Sequence, residues 1–450
     1  MMATTSVRDR LVASSTTGRY GVFLGLGGAF ALAGLIIFLA TMSGPSADRA
    51  WQLFHVNWIY FTGLTTGSIA FTAVQKVAKG SWSGVMIRFS QAVSGFMVIS
   101  FLGFLAIFLV GYQHIYPAME GLSPGKTWWL SHNVMFWRLF LGLAFLYYLG
   151  FQLIKADLVP DLYEVKGTVE GFRRRLYEAW SAGFDGSPAA ITRQNERIYR
   201  LAPAYIVVYA LVATMVAFDG IMALQPHWFS NLLGGFYFMG SFLAGHTLLA
   251  LLANHGRHEL GIADLVSPKQ RHDLGKLCFG FTVFWGYLMF AQFLVIWYGN
   301  LPEETGFVFA RLWGAWLPVG RAVFLGMFLV PFFGLLGVLP KKTPAILGFF
   351  CTISLVALWL ERYLLVLPSV TREEGPVFGV PELGPTILFL GLFLVCYGVF
   401  ARIFPMVSPR LAEITIDGER GHATTGEFLH EEGAGDYISA PAMERRHGNR

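Results

Sequence analysis

The residues best placed to do chemistry are ionisable groups stranded inside apolar runs. Asp219 stands seven residues before Pro226 in FDGIMALQPHWFSNLLGGFYF, and Glu361 stands seven before Pro368 in ERYLLVLP. With Pro226, His227 and Trp228 as a hairpin tip, seven residues of helix at about 1.5 Å each place the Asp219 carboxyl roughly 10 Å below the water boundary. An ionisable side chain at that depth is expensive, marks function by default and needs a partner. The partners in view are Arg138, which opens RLFLGLAFLYYLG, and Arg321, which opens RAVFLGMFLVPFFG. A carboxylate and a guanidinium in a dry interior form an ion pair or hand on protons, so no catalytic residue is assigned.

His246 sits beside Gly245 and Thr247 in an apolar stretch, as a hydrogen-bonding histidine or a step in a proton path. Tyr205 and Gln292 are softer candidates of the same kind. Haem b needs a second histidine facing His246 at similar depth, and none is evident. His55, His132 and His227 lie near helix ends, as interfacial histidines or as quinol contacts. Cys278, Cys351 and Cys396 are isolated within apolar spans, which gives no haem c attachment, iron–sulfur pattern or disulfide framework. No cofactor or metal is assigned to this chain, so any redox centres belong to partner subunits.

The elements that hold these groups come from the hydrophobic pattern. With 55% apolar and only 14% charged residues, the chain reads as an integral, all-α, polytopic membrane protein. Ten stretches are long enough to cross about 30 Å of hydrocarbon: 20–42, 52–77, 84–111, 130–154, 201–224, 229–253, 274–298, 316–338, 344–367 and 386–404. Besides the matched acids and arginines, Tyr60-Phe61-Thr62-Gly63 echoes Tyr237-Phe238-Met239-Gly240, in the same order along the chain. Spans 2–5 and 6–9 therefore read as two copies of a four-helix unit, 52–224 and 229–367, with spans 1 and 10 as flanking helices. Each copy carries one acid and one arginine. Glu361 and Arg362, adjacent on a helix, are expected to point apart and to find separate partners.

Most of the 33 lysines and arginines fall at the N-terminus, in the even-numbered connections and in the tail. The positive-inside rule then places both termini in the cytoplasm, with Asp219 and Glu361 toward the opposite side. The basic rim accounts for the pI near 9 without nucleic-acid binding. Residues 1–18, within a cytoplasmic N-terminus of 1–19, are expected to be loosely ordered and 405–450 to form a flexible cytoplasmic tail. In the connection 155–200, Val165, Val169, Phe172, Leu176 and Trp180 recur at helical spacing around Arg173, Arg174 and Arg175. That describes an amphipathic helix on the membrane surface meeting lipid phosphate, with partner binding as the alternative.

Three segments carry a family likeness. FDGIMALQPHWFS, FTVFWGYLMFAQFLVIWYGNLPEET and WLERYLLVLPS resemble NrfD-like, polysulfide-reductase-type membrane subunits, and most closely the ActF-type subunit of alternative complex III, a bacterial quinol:electron-acceptor oxidoreductase. The likeness spans about residues 20–405; Gln225 stands where the family pattern leads us to expect an acid, and Gly220 where it has a bulky residue. What the resemblance implies is two four-helix bundles with two extra helices. It also implies an iron–sulfur protein and cytochrome c subunits as partners, carrying the iron–sulfur clusters and haem c, with a terminal oxidase as a further partner. A sister membrane subunit would hold the principal quinol site. Asp219, His246 and Glu361 match by position within these motifs.

The reading is thus a non-redox membrane subunit that supports quinol oxidation, with Asp219, His246, Glu361, Arg138, Arg321 and Tyr205 as proton-path candidates. The alternatives are the quinol-binding subunit itself, an anchor of another respiratory complex, and a secondary transporter. Internal duplication and buried charge favour the last; the like orientation of the two copies and the lack of paired broken half-helices speak against it.

Overall fold

The computed structural model describes residues 7–18, 20–117 and 121–425, and these are helical without a strand among them. After α1 (Val7–Ser14) come α2 (Gly21–Thr41), α3 (Ala47–Val77), α4 (Ile87–Ile115), the short α5 (Pro124–Trp129), α6 (His132–Val165), α7 (Gly171–Trp180) and α8 (Pro188–Gly220). The second half holds α9 (Leu233–Glu259), α10 (Pro268–Gly299), α11 (Pro302–Leu312), α12 (Gly314–Gly334), α13 (Val338–Lys342), α14 (Pro344–Val370), α15 (Val380–Ile403) and α16 (Pro409–Thr425). Among the described residues, nine helices are long and apolar enough to cross a membrane, making this a multi-pass helical membrane protein.

The tenth expected span, α3, is not among those nine. It is ample in length at 31 residues, yet it carries His55, Asn57, Thr62, Thr65, Thr66, Ser68 and Thr72, all buried. Nearly every one of its side chains is covered by protein, so its polarity is matched to neighbouring helices and never to lipid. α3, α4, α6 and α8 pack as one group and α9, α10, α12 and α14 as another, and α3 lies against α9 at the seam. Close approach there requires Gly67, since a Cβ on it would stand 2.0 Å from the Ser241 carbonyl oxygen. The echoed tyrosines cross-link the two groups: Tyr60 donates to the Leu355 carbonyl at 3.1 Å and Tyr237 to the Ile59 carbonyl at 2.8 Å.

α2 and α15 run side by side outside the seam, their backbones brought together by glycines. A Cβ on Gly34 would reach 2.3 Å from the Leu388 nitrogen, and one on Gly391 would reach 2.2 Å from the Ala31 nitrogen. α10 ends at Asn300, whose left-handed φ of 46° terminates the helix at the WYGN exit, a conformation that asparagine tolerates. Glu303 and Glu304 then fall in the first turn of α11, where the helix dipole favours negative charge.

Several boundaries differ from the sequence expectation. α6 continues past 154 to Val165, and α8 begins at Pro188 rather than near 201. The surface helix is only Gly171–Trp180: Val165 belongs to α6, and a turn separates the two. Residues 7–18 are not loose, because Leu11 is buried and Arg8 bridges Glu164 and Glu413 at 2.7 and 2.9 Å. Nor is the start of the tail flexible. Met406, Val407, Leu411 and Ala412 are fully buried, and the Met406 amide bonds to the Ser15 carbonyl, which brings both ends of the described chain to one face. The tail beyond Thr425 lies outside the described residues.

Candidate functional site

Two polar centres lie at opposite ends of the first helix group. At the end remote from α1 and α16, Asp219 occupies the last turn of α8 with its side chain 1% exposed. Arg138 of α6 reaches it with two parallel bonds, Nε to Oδ2 at 3.0 Å and Nη2 to Oδ1 at 2.6 Å, the fork geometry that suits a carboxylate. The guanidinium stacks on the Trp129 ring at 3.9 Å and lies within 3.5 Å of the Trp129 carbonyl. The end of α8 leaves carbonyls without helical partners, and two are capped from the side: Tyr116 donates to the Asp219 carbonyl at 3.0 Å and His55 Nε2 to the Gly220 carbonyl at 2.7 Å. Beside the ion pair opens a cleft of ≈ 190 Å³ lined by Arg138, Leu139, Gly142, Leu211, Val212 and Met215.

Of the histidines near this end, His55 is buried with Nδ1 facing no protein partner. His132 donates through Nε2 to the Phe108 carbonyl at 2.9 Å, inside a π-turn of α4 over Ile107–Gly111 that leaves this carbonyl accessible. His227 is exposed. Trp228, expected at the water boundary, is instead buried and stacked on Phe307 at 3.6 Å. A hydroxyl chain that the sequence did not single out runs deeper in the same group, Thr62 to Ser100 at 2.5 Å and Ser100 to Tyr147 at 2.6 Å. Tyr205 lies near it, donating to the Thr66 carbonyl at 3.1 Å.

The second copy does not repeat this arrangement. Arg321 is exposed on α12 and is no partner for Glu361. Glu361 instead meets its neighbour Arg362, Oε2 to Nη1 at 2.7 Å, so adjacent residues do touch; two long side chains curl back across the divergence of their Cα–Cβ bonds. The approach is off-axis, and neither Glu361 oxygen accepts a hydrogen bond from the protein. Arg362 is further held by the Tyr237 carbonyl at 3.3 Å and the Tyr237 ring at 4.5 Å. His246 stands apart in an aromatic box of Phe71, Phe242 and Phe281, its Nδ1 donating to the Phe242 carbonyl at 2.7 Å.

At the end that carries α1 and α16 lies a larger charge network, also not anticipated. Asp157 of α6 accepts from Lys76 at 2.5 Å and from Gln91 at 2.7 Å, with Arg88 at 3.6 Å and Arg410 at 3.9 Å. Asp161, one turn on, pairs with Arg88 and accepts from Ser408 at 2.8 Å. Lys76, Arg88, Asp157 and Asp161 are wholly buried. The available signal was the spacing of Asp157 and Asp161, four residues apart and so on one helical face. Both lie beyond the expected span end at 154, where a charge reads as solvated.

Among the described residues, no group of three or more His, Cys, Asp or Glu side chains converges as a metal site. Comparison of the chain with models of known protein families finds no match, and comparison with curated proteins finds none either.

Proposed function

We propose that this chain is the ActF-type, NrfD-like subunit of a bacterial quinol:electron-acceptor oxidoreductase of the alternative complex III kind, supporting quinol oxidation by accepting and passing protons. In this reading it lies in the cytoplasmic membrane with both termini inside. It holds no redox centre and assembles with a quinol-binding sister subunit, an iron–sulfur protein and cytochrome c subunits.

The observation that carries the reading is the buried Asp219 carboxylate, gripped by Arg138 next to an apolar cleft at one end of the bundle. A carboxylate kept ionised by a single arginine loses that advantage when a nearby charge changes, and it then takes a proton. Glu361, whose oxygens accept no hydrogen bond from the protein, is the matching group in the second half, since a buried carboxyl so placed is satisfied by binding a proton or a water. The histidines His55 and His132 cap backbone carbonyls through one nitrogen each, which fits positioning of this end better than redox-ligand duty.

The test uses the native membrane assembly with Asp219→Asn and Glu361→Gln. The reading expects assembly and bound haem to persist while quinol oxidation and proton release fall together. Unchanged quinol oxidation and proton release in both variants overturns it, and so does purification of the wild-type chain alone or as a homo-oligomer without haem or iron, which is how a transporter would behave.

A further inference from the structure

The carboxylates around the junction of α9 and α10 are committed to partners. Glu259 accepts from the Tyr20 amide at 2.9 Å, Asp264 from Arg10 at 2.7 Å, and Glu419 from the Ser267 hydroxyl at 2.9 Å, while Asp273 pairs with Lys276 at 2.6 Å. The arginines between them are not so served. Arg257, near the end of α9, and Arg271, at the start of α10, line one crevice together with Asn254 and Pro344, the first residue of α14. Arg271 donates to the Lys342 carbonyl at 3.0 Å and the Val266 carbonyl at 2.5 Å, contacts that use two of its five N–H hydrogens and leave its charge uncompensated. Arg257 has no ion pair or hydrogen bond among the described residues, and its buried Nε and the Asn254 Oδ1 meet no protein partner.

The surrounding backbone adds to the positive potential. The N-termini of α10 and α14, long helices of 32 and 27 residues, both open here, against the C-termini of α9 and of the five-residue α13. The enclosed part of the crevice is ≈ 10 Å³, room for about one water, so an anion stops at its mouth. That mouth is level with the ends of three membrane-spanning helices, which is the depth of lipid phosphates.

We propose that Arg257 and Arg271 clamp the phosphate of an anionic phospholipid headgroup at this mouth. Two guanidinium forks can share one phosphate. A zwitterionic lipid brings the same phosphate with its own ammonium, which two arginines repel, so the site selects for net negative headgroups. The proposal stands independently of the roles given to Asp219 and Glu361.

The test is lipid retention by the full-length purified protein, measured by native mass spectrometry in micelles doped with phosphatidylglycerol or phosphatidylcholine of matched chains. Wild type is expected to retain phosphatidylglycerol over phosphatidylcholine by on the order of tenfold. Arg257→Gln/Arg271→Gln brings the ratio near one, and Arg193→Gln/Arg200→Gln, at exposed positions of α8, leaves it as in wild type. Equal retention of the two lipids by wild type overturns the proposal, as does loss of selectivity in the α8 variant. Displacement of phosphatidylglycerol by millimolar inorganic phosphate assigns the site to the free anion and overturns the lipid source. Should the double variant fail to fold, a density map of wild type in phosphatidylglycerol nanodiscs decides: a headgroup within hydrogen-bond distance of both arginines supports the site, and headgroups ordered only elsewhere overturn it.

Discussion

Arg138 holds Asp219 across 81 residues of chain with two bonds of 3.0 and 2.6 Å, but the two partners are unequally covered: the aspartate side chain is 1% exposed and the arginine 15%. Removing the arginine strands a carboxylate in a dry interior. Removing the carboxylate leaves a guanidinium that still has the Trp129 ring and carbonyl. Arg138→Gln is therefore expected to cost about 3 kcal/mol and Asp219→Asn less, with the double variant recovering most of the loss. Thermal unfolding of the four proteins in one detergent checks the order; equal losses in the two single variants contradict it.

The network around Asp157 predicts a larger effect. Lys76, Arg88 and Arg410 all approach this one carboxylate, and Lys76 and Arg88 are wholly buried. Asp157→Asn leaves them facing each other, and breaking buried pairing of this kind costs about 3–5 kcal/mol. The variant is expected to melt below Asp219→Asn, and Asp157→Glu to fall between it and wild type.

Truncation tests the start of the tail. A chain ending at Phe404 loses the buried Met406, Val407, Leu411 and Ala412 together with Ser408 and Arg410. Each large apolar side chain of that set contributes about 1.5–3 kcal/mol when buried, so a clear fall in melting temperature and in membrane yield is expected. A truncated chain as stable as the full one contradicts the packing described.

The glycine seam carries its own control. Gly34→Ala drives a methyl to 2.3 Å from the Leu388 nitrogen and is expected to cost about 1–3 kcal/mol, whereas Gly28→Ala meets nothing within 4 Å and is expected to be neutral or slightly stabilising. Comparing the two alanine variants separates close helix contact from helix propensity.

Acid is expected to release α1. Hydrogen bonds from Arg10 hold the Asp264 carboxyl below its ordinary value of 3.8. A depressed carboxyl contributes stability that is fully present above the unfolded value and is lost as pH falls through the folded one. Hydrogen-exchange protection of residues 7–14, taken relative to the intrinsic rate at each pH, should thus be unchanged from pH 7 to 5 and should fall below about pH 4. The exposed setting keeps the effect small, and Asp264→Asn removes its share of the pH dependence while the Arg8 bridges to Glu164 and Glu413 remain.

Much of the architecture was legible because apolar length and repeated motifs are local signals. The matched arginines and acids led to Arg138 and Asp219, two helices apart in sequence and bonded in space. The same repeat misled at Arg321, because duplication preserves a residue type without preserving its exposure, and in the second copy Arg362 supplies the cation. α3 illustrates another limit. Hydropathy measures affinity for lipid, and a helix ringed by other helices answers to hydrogen bonding instead, as His55 with Gly220 and Asn57 with Thr386 show. Asp157 and Asp161 were passed over for the converse reason: beyond an apolar run, charge reads as water-exposed unless the closing segment, here Ser408 and Arg410, is known to cover it.

That closing segment arrives late. Ser408 follows Asp161 by 247 residues, so at ordinary translation speeds roughly 12–50 s separate the synthesis of the two. Throughout that interval the charge network around Asp157 and Asp161 is short of one hydroxyl and one guanidinium, whatever the rest of the bundle has already achieved. Sealing of this end is accordingly a late act of biogenesis, and a segment made long after the helices it covers is its clasp.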